Sequence, residues 1–416
     1  MMVKFERFEL SNGLKVIVNE DRSTPLVAIN ILYAVGSRDE NPAKTGFAHL
    51  FEHLMFGGSA NIPSFDEPVQ MVGGENNAFT NNDITNYYIT LPADNIETGL
   101  WLESDRMLAL DFSEQSLKVQ QNVVVEEYRQ RYVNQPYGDV WLLLRPLTYK
   151  VHPYRWPTIG ERMEHISEAT IEDVKTFFYS HYAPNNAFMA LSGNISLSEA
   201  QPLVEKWFGD IDRRDIKVRN ISQEPGQTEP RLLTVKRKVP YDAVYKAWHV
   251  PSRLDPRFYV CDLITDLLSS GKSARLYQVL VKEQKLFSEI NAYVTGDIDP
   301  GLLIIGGKIM QGITVEKANQ AILEVVENLA SNPISEHELM KVLHKYETNL
   351  KLGQTNALNK AMALSYYEML GNADLFNEEI HKYGSITADQ ICQVTGDLLC
   401  ETNCSTLFYL AENDSK

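Results

Sequence analysis

The chain has 416 residues, 44% of them apolar and 23% charged, and 39 basic against 55 acidic side chains give a formal net charge of −16. That length accommodates two to three domains with sizeable cores, and the composition excludes a disordered, collagen-like or low-complexity chain. An acidic surplus repels phosphate backbones and anionic lipid, so no nucleic-acid partner is expected.

From Met1 to Asn12 charge and apolar residues alternate (Lys4, Glu6, Glu9), without the apolar run of a secretory leader. No apolar stretch reaches the roughly 18 residues a membrane span needs. Phe8 to Val18 carries a hairpin signal, Ser11-Asn12-Gly13, between alternating segments. Pro25 to Tyr33 reads as a mostly apolar strand that Gly36 ends, and Lys44 to Phe56 as a helix stopped by Gly57-Gly58. Ser113 to Val133 reads as a longer helix, Thr170 to Ser180 as another with Thr170 as N-cap, and Asn186 to Leu191 as a strand. All four cysteines (Cys261, Cys392, Cys400, Cys404) lie in the later half, and with no second pair or nearby histidine they read as free thiols of a cytoplasmic protein.

The stretch 217–231 (KVRNISQEPGQTEPR) is polar and carries two prolines and a glycine, which makes it the expected linker between domains at 1–216 and 232–416. The halves are nearly equal, and two sparse self-matches suggest a duplication. Thr170, Val174, Phe177, Tyr182 and Asn186 recur 217 positions later as Thr387, Ile391, Val394, Leu399 and Asn403. His49 to Gly58 recurs 213 positions later as Asp262 to Gly271, without the histidines.

Chemistry concentrates in Gly46-Phe47-Ala48-His49-Leu50-Phe51-Glu52-His53-Leu54-Met55-Phe56. At about 100° per residue, His49, Glu52 and His53 share one arc of a helix about 100° wide. Two imidazoles one turn apart can hold a Zn²⁺ ion, with the carboxylate beside them in reach of its water. This is the His-Glu-x-x-His zinc motif inverted. An ordinary helix with two surface histidines fits poorly, because the other residues are apolar all round and such a helix is buried. His337-Glu338 begins like the forward motif, but Lys341 stands where its second histidine belongs.

The chain here resembles the pitrilysin/insulinase family of zinc peptidases, and within it the bacterial subunits similar to mitochondrial processing peptidase. The resemblance runs through FELSNGLKVIV (8–18), GSRDENPAKTGFAHLFEHLMFGGS (36–59), GGENNAFTNNDITNYY (73–88), VVVEEY (123–128), HPYRWPTIG (152–160) and YAPNNAFMALSGN (182–194). It implies an α+β fold of two similar domains, each an antiparallel-rich sheet packed with helices. It also implies one zinc ion per chain, with Glu52 as the general base in peptide hydrolysis. The third ligand would be a glutamate on a later helix. Periodicity does not choose between Glu126 and Glu127; the family pattern maps the ligand to Glu127. A supporting glutamate seven residues before the ligand is replaced here by Gln120. Asn77-Ala78-Phe79-Thr80 matches the edge strand to which that family adds its peptide substrate as an extra β-strand.

Complete members carry an Arg and, seven residues on, a Tyr in the later half. The matching positions here are Val281 and Ser288, while Arg275 and Tyr277 stand at the wrong spacing. The expectation is therefore a zinc-bearing subunit whose partner of the same family supplies that pair, with a homodimer as the competing arrangement. A non-catalytic scaffold subunit on the same fold is the alternative function.

Overall fold

In the computed structural model, which describes residues 2–216 and 219–412, the first hairpin closes at Gly13, whose φ of +90° lies where L side chains are strained. Its arms, β1 (Glu6–Glu9) and β2 (Lys15–Glu20), pair antiparallel, Glu9 facing Lys15. The apolar run expected as a strand is β3 (Leu26–Tyr33), and β6 (Ala187–Gly193) lies beside it. Both are almost wholly buried, as strands covered on two faces must be. With β4 (Glu75–Thr80) and β5 (Thr85–Pro92) they form a six-stranded sheet ordered β1-β2-β6-β3-β5-β4.

A second sheet repeats this plan. Its strands are β7 (Arg231–Arg237), β8 (Ala243–His249), β9 (Phe287–Val294), β10 (Leu302–Ile309) and β11 (Cys404–Ala411), ordered β7-β11-β8-β10-β9. Apart from β1, the sheets match strand for strand, including a single parallel pairing in each, β2 with β6 and β7 with β11. The weak self-match at a shift of 217 acquires a physical meaning. Thr170 and Thr387 each begin a helix with a capping box, closed by Asp173 and by Gln390. Asn186 Nδ2 donates to the carbonyls of His181 (2.8 Å) and Ala34 (3.3 Å), and Asn403 Nδ2 to those of Leu398 (2.8 Å) and His249 (2.9 Å). The duplicated α+β fold is therefore built by the same local bonds twice.

The two compact units are not contiguous. One contains Met1–Arg131, Trp156–Ser222 and Asn349–Glu378; the other contains Tyr132–Arg155, Gln223–Thr348 and Glu379–Lys416. The chain crosses at Ser222–Gln223, inside the stretch read as a linker, whose first residues Lys217 and Val218 lie outside the described residues. A simple division into 1–216 and 232–416 misses that each half also lends a helix to the other unit. Helix Ala357–Met369 packs Ala361, Leu364 and Tyr367 against Ile17, Ala28 and Ala190 of the first sheet. Helix Val140–Thr148 packs Val140 and Leu144 against Ala247, Ile304 and Leu407 of the second. An apolar stripe specifies that a helix face is buried, but not which of two similar sheets buries it. No helix among the described residues is long and apolar enough to cross a membrane.

Candidate metal centre

The motif helix spans Phe47–Leu54, three residues later at its start than the periodicity suggests. Gly46, its N-cap, takes φ +91°, and a Cβ there would sit 2.6 Å from the Ile159 carbonyl oxygen. The first turn is held by a residue that motif spacing does not reveal. Glu40, itself buried, accepts from the backbone N–H groups of Gly46 and Ala48, both at 2.8 Å. That carboxylate does the work of a capping side chain and lies at the positive end of the helix. Phe47, Ala48, Leu50, Phe51 and Leu54 are buried, with Phe51 against Phe177, Phe178 and Tyr182, while His49, Glu52 and His53 share the partly open face.

Glu127 comes from helix Glu114–Tyr128, which starts at the N-cap Ser113 and gives way to a π-helical turn at Arg129–Val133. Its Oε2 lies 3.6 Å from His49 Nε2 and 3.5 Å from His53 Nε2, and all three donor atoms fall within 4.8 Å of one another. Zinc bonds of about 2.0–2.1 Å in a tetrahedron place neighbouring ligand atoms about 3.3–3.4 Å apart. The two carboxylate–imidazole distances are close to that spacing, and the three residues are of the types that bind zinc. The neighbouring glutamates are sorted by their partners. Glu126 turns outward to Arg129 (3.6 Å) and Gln130 (3.1 Å), whereas the second oxygen of Glu127 meets Arg131 Nη1 at 2.8 Å.

Electrostatics favour the ligating forms. Burial holds the His49 imidazole down at about 4, so it is neutral at pH 7. The His53 ring, with His49 and Arg131, keeps the Glu127 carboxyl below its usual range against the opposing effect of burial. Burial pushes the Glu52 carboxyl up, while the Thr80 hydroxyl and His53 pull it down. A carboxylate that is not a ligand and is easier to protonate than usual suits proton transfer.

Two further expected positions are placed less directly. Gln120 lies by Gly57, whose added Cβ would be 3.5 Å from its Nε2, and among the described residues it makes no hydrogen bond to His49, His53 or Glu127. Asn77, Ala78, Phe79 and Thr80 lie on β4, which has β5 on one side and is the outermost strand of its sheet. Asn77 Oδ1 accepts from the Ala78 N–H at 2.8 Å, covering one backbone donor. Arg275 is engaged by Glu338 through two bonds of 3.1 and 3.2 Å, a structural tie, and Ser288 donates to the Lys308 carbonyl.

A duplicated α+β fold with two histidines and a distant glutamate converging on one point defines the class to which this chain is assigned. Residues 15–160 match the family model described as insulinase (peptidase family M16), and residues 168–346 the one described as the peptidase M16 inactive domain. The chain belongs to the M16 insulinase family of peptidases. It is 28% identical over 417 residues to the zinc protease PqqE of Helicobacter pylori, covering 97% of this chain and 92% of that one. It is 25% identical over 399 residues to the uncharacterized zinc protease YmxG of Bacillus subtilis, covering 95% and 96%. In three dimensions it is similar to the crystal structure of a protease from Helicobacter pylori, with a TM-score of 0.93 at 27% identity over 98% of this chain and 100% of that one.

Proposed function

We propose that this chain is a zinc-dependent endopeptidase subunit that hydrolyses peptides or unfolded polypeptides. The observation that carries this reading is the convergence of His49 Nε2, His53 Nε2 and Glu127 Oε2, with the unligated Glu52 on the same helix face. One zinc ion held by those three residues would lower the pKa of a water molecule and polarise a peptide carbonyl. Glu52 accepts the proton of the attacking water and returns it to the leaving amine nitrogen. The outer edge of β4, from Asn77 to Thr80, holds the substrate backbone extended through main-chain hydrogen bonds, which favours broad side-chain specificity.

The later half has Val281 and Ser288 where a cationic and a phenolic donor are expected, and neither side chain can make a charge-assisted bond to a developing oxyanion. A second subunit of the same family supplying an Arg/Tyr pair completes the site in this reading. The four free cysteines suit a reducing, cytoplasmic compartment. The test is cleavage of an unstructured reporter peptide by the purified chain, with and without a second chain of the same family that carries the Arg/Tyr pair. Activity that appears or rises strongly with the second chain supports the reading, and full turnover by this chain alone removes the need for a partner. A scaffold without catalysis would give no cleavage in either mixture.

A further inference from the structure

We infer that Arg131 is a positioning residue of the metal centre, whose guanidinium takes one oxygen of Glu127 and so turns the other toward His49 and His53. This inference rests on the zinc reading above. The geometry is specific: Nη1 meets Oε1 at 2.8 Å, and Oε2 is the atom lying 3.6 and 3.5 Å from the two imidazoles. Arg131 stands four residues after Glu127, the orientation in which an acidic residue precedes a basic one most favourably on a helix. The π-helical turn of Arg129–Val133 carries it. Turns of this kind recur at functional sites.

Among the described residues, His49 Nδ1 is buried with no hydrogen-bond partner, and Gln120 makes no hydrogen bond to Glu127. Ligands of catalytic metals ordinarily have an outer partner that fixes their orientation. In this chain that task falls on the carboxylate, through a cation whose side chain is 69% exposed and supports no core packing. A guanidinium also opposes a divalent ion by charge, so the hydrogen bond and the repulsion act in opposite directions and can be separated.

The experiment is zinc affinity by chelator competition in 0.3 M NaCl, where long-range repulsion is screened. It uses the full chain and its Arg131→Ala and Arg131→Lys variants, alongside thermal melting of the metal-free forms. Arg131→Ala should bind zinc at least about tenfold more weakly, with unchanged melting of the metal-free protein, and Arg131→Lys should stay within about threefold of the parent. An Arg131→Ala variant that binds zinc as tightly as the parent, or more tightly, would overturn the inference. Failure of the parent chain to take up zinc is a different result and would sink the zinc reading itself.

Discussion

The two halves of the molecule repeat one helix pairing with different side chains at its centre. In the first unit the motif helix faces helix Glu114–Tyr128 with His49, Glu52 and His53 opposite Glu127. In the second, helix Pro256–Ser269 occupies the same place between β8 and β9, and Asp262, Thr265 and Asp266 stand at the three matching positions. Asp266 is met at 2.9 Å by Lys345, from helix Glu336–Gly353, and Asp262 accepts from the Tyr383 hydroxyl at 2.6 Å. An ammonium built into the chain thus ties together the two helices whose counterparts in the first unit bring His49, His53 and Glu127 together. The comparison teaches that both units pair the same two helices, while the side chains between them differ: a carboxylate–ammonium pair in one and a His-His-Glu cluster in the other.

The largest effects are expected where the first unit departs from the second. Replacing Glu52 by Gln should lower the cleavage rate by about 10²–10⁴-fold while zinc content, measured by elemental analysis, stays at the parental level. Equal loss of zinc would make Glu52 a ligand rather than a base.

The exchanged helices should respond alike. Leu364 and Leu144 are both fully buried, each against the other half's sheet. Truncation of either to Ala should cost about 2–5 kcal/mol in denaturant unfolding. A cost well under about 1 kcal/mol for one of them would show that its helix is loosely docked. Lys345→Met tests the second unit's internal cation. Its pair with Asp266 is partly exposed, so the change should cost no more than about 1 kcal/mol and leave zinc content untouched.

The smallest effect concerns pH. Each exchanged helix is tied by an ion pair, Lys360 to Asp21 (2.5 Å) and Asp139 to Arg237 (2.8 Å), with the polarity reversed between units. The Lys360 ammonium, with Ser23, holds the Asp21 carboxyl down at about 2, below its ordinary 3.8. A depressed carboxyl contributes stability that is present above its unfolded value and is lost as pH falls through the folded one. Unfolding measured between about pH 5 and pH 2 should therefore lose part of its acid sensitivity in Lys360→Met. An unchanged acid limb would show that the pair carries no linkage.

Much of this was legible in the residues. The inverted motif, the hairpin at Gly13, the buried strands, the helix start at Ser113 and the cap at Thr170 all announce themselves through local periodicity or turn chemistry. The choice between Glu126 and Glu127 was not legible from periodicity, because adjacent helix positions differ by about 100° and both follow valines. In the fold, Arg129 and Gln130 take the first and Arg131 the second. Glu40 is not legible in the sequence because its partners are backbone N–H groups, which leave no pattern in side-chain spacing. The helix exchange is not legible either, because hydrophobic patterning lets Ala361 and Leu364 pack on either sheet.

Zinc stoichiometry across a small set of variants tests the central claim most directly. Elemental analysis should find one zinc per chain in the parent, in Glu52→Gln and in Glu126→Gln. It should find essentially none in His49→Ala, His53→Ala and Glu127→Ala, each still folded by circular dichroism. A zinc-free parent, or a Glu127→Ala variant that keeps its ion while Glu126→Gln loses it, would contradict the account.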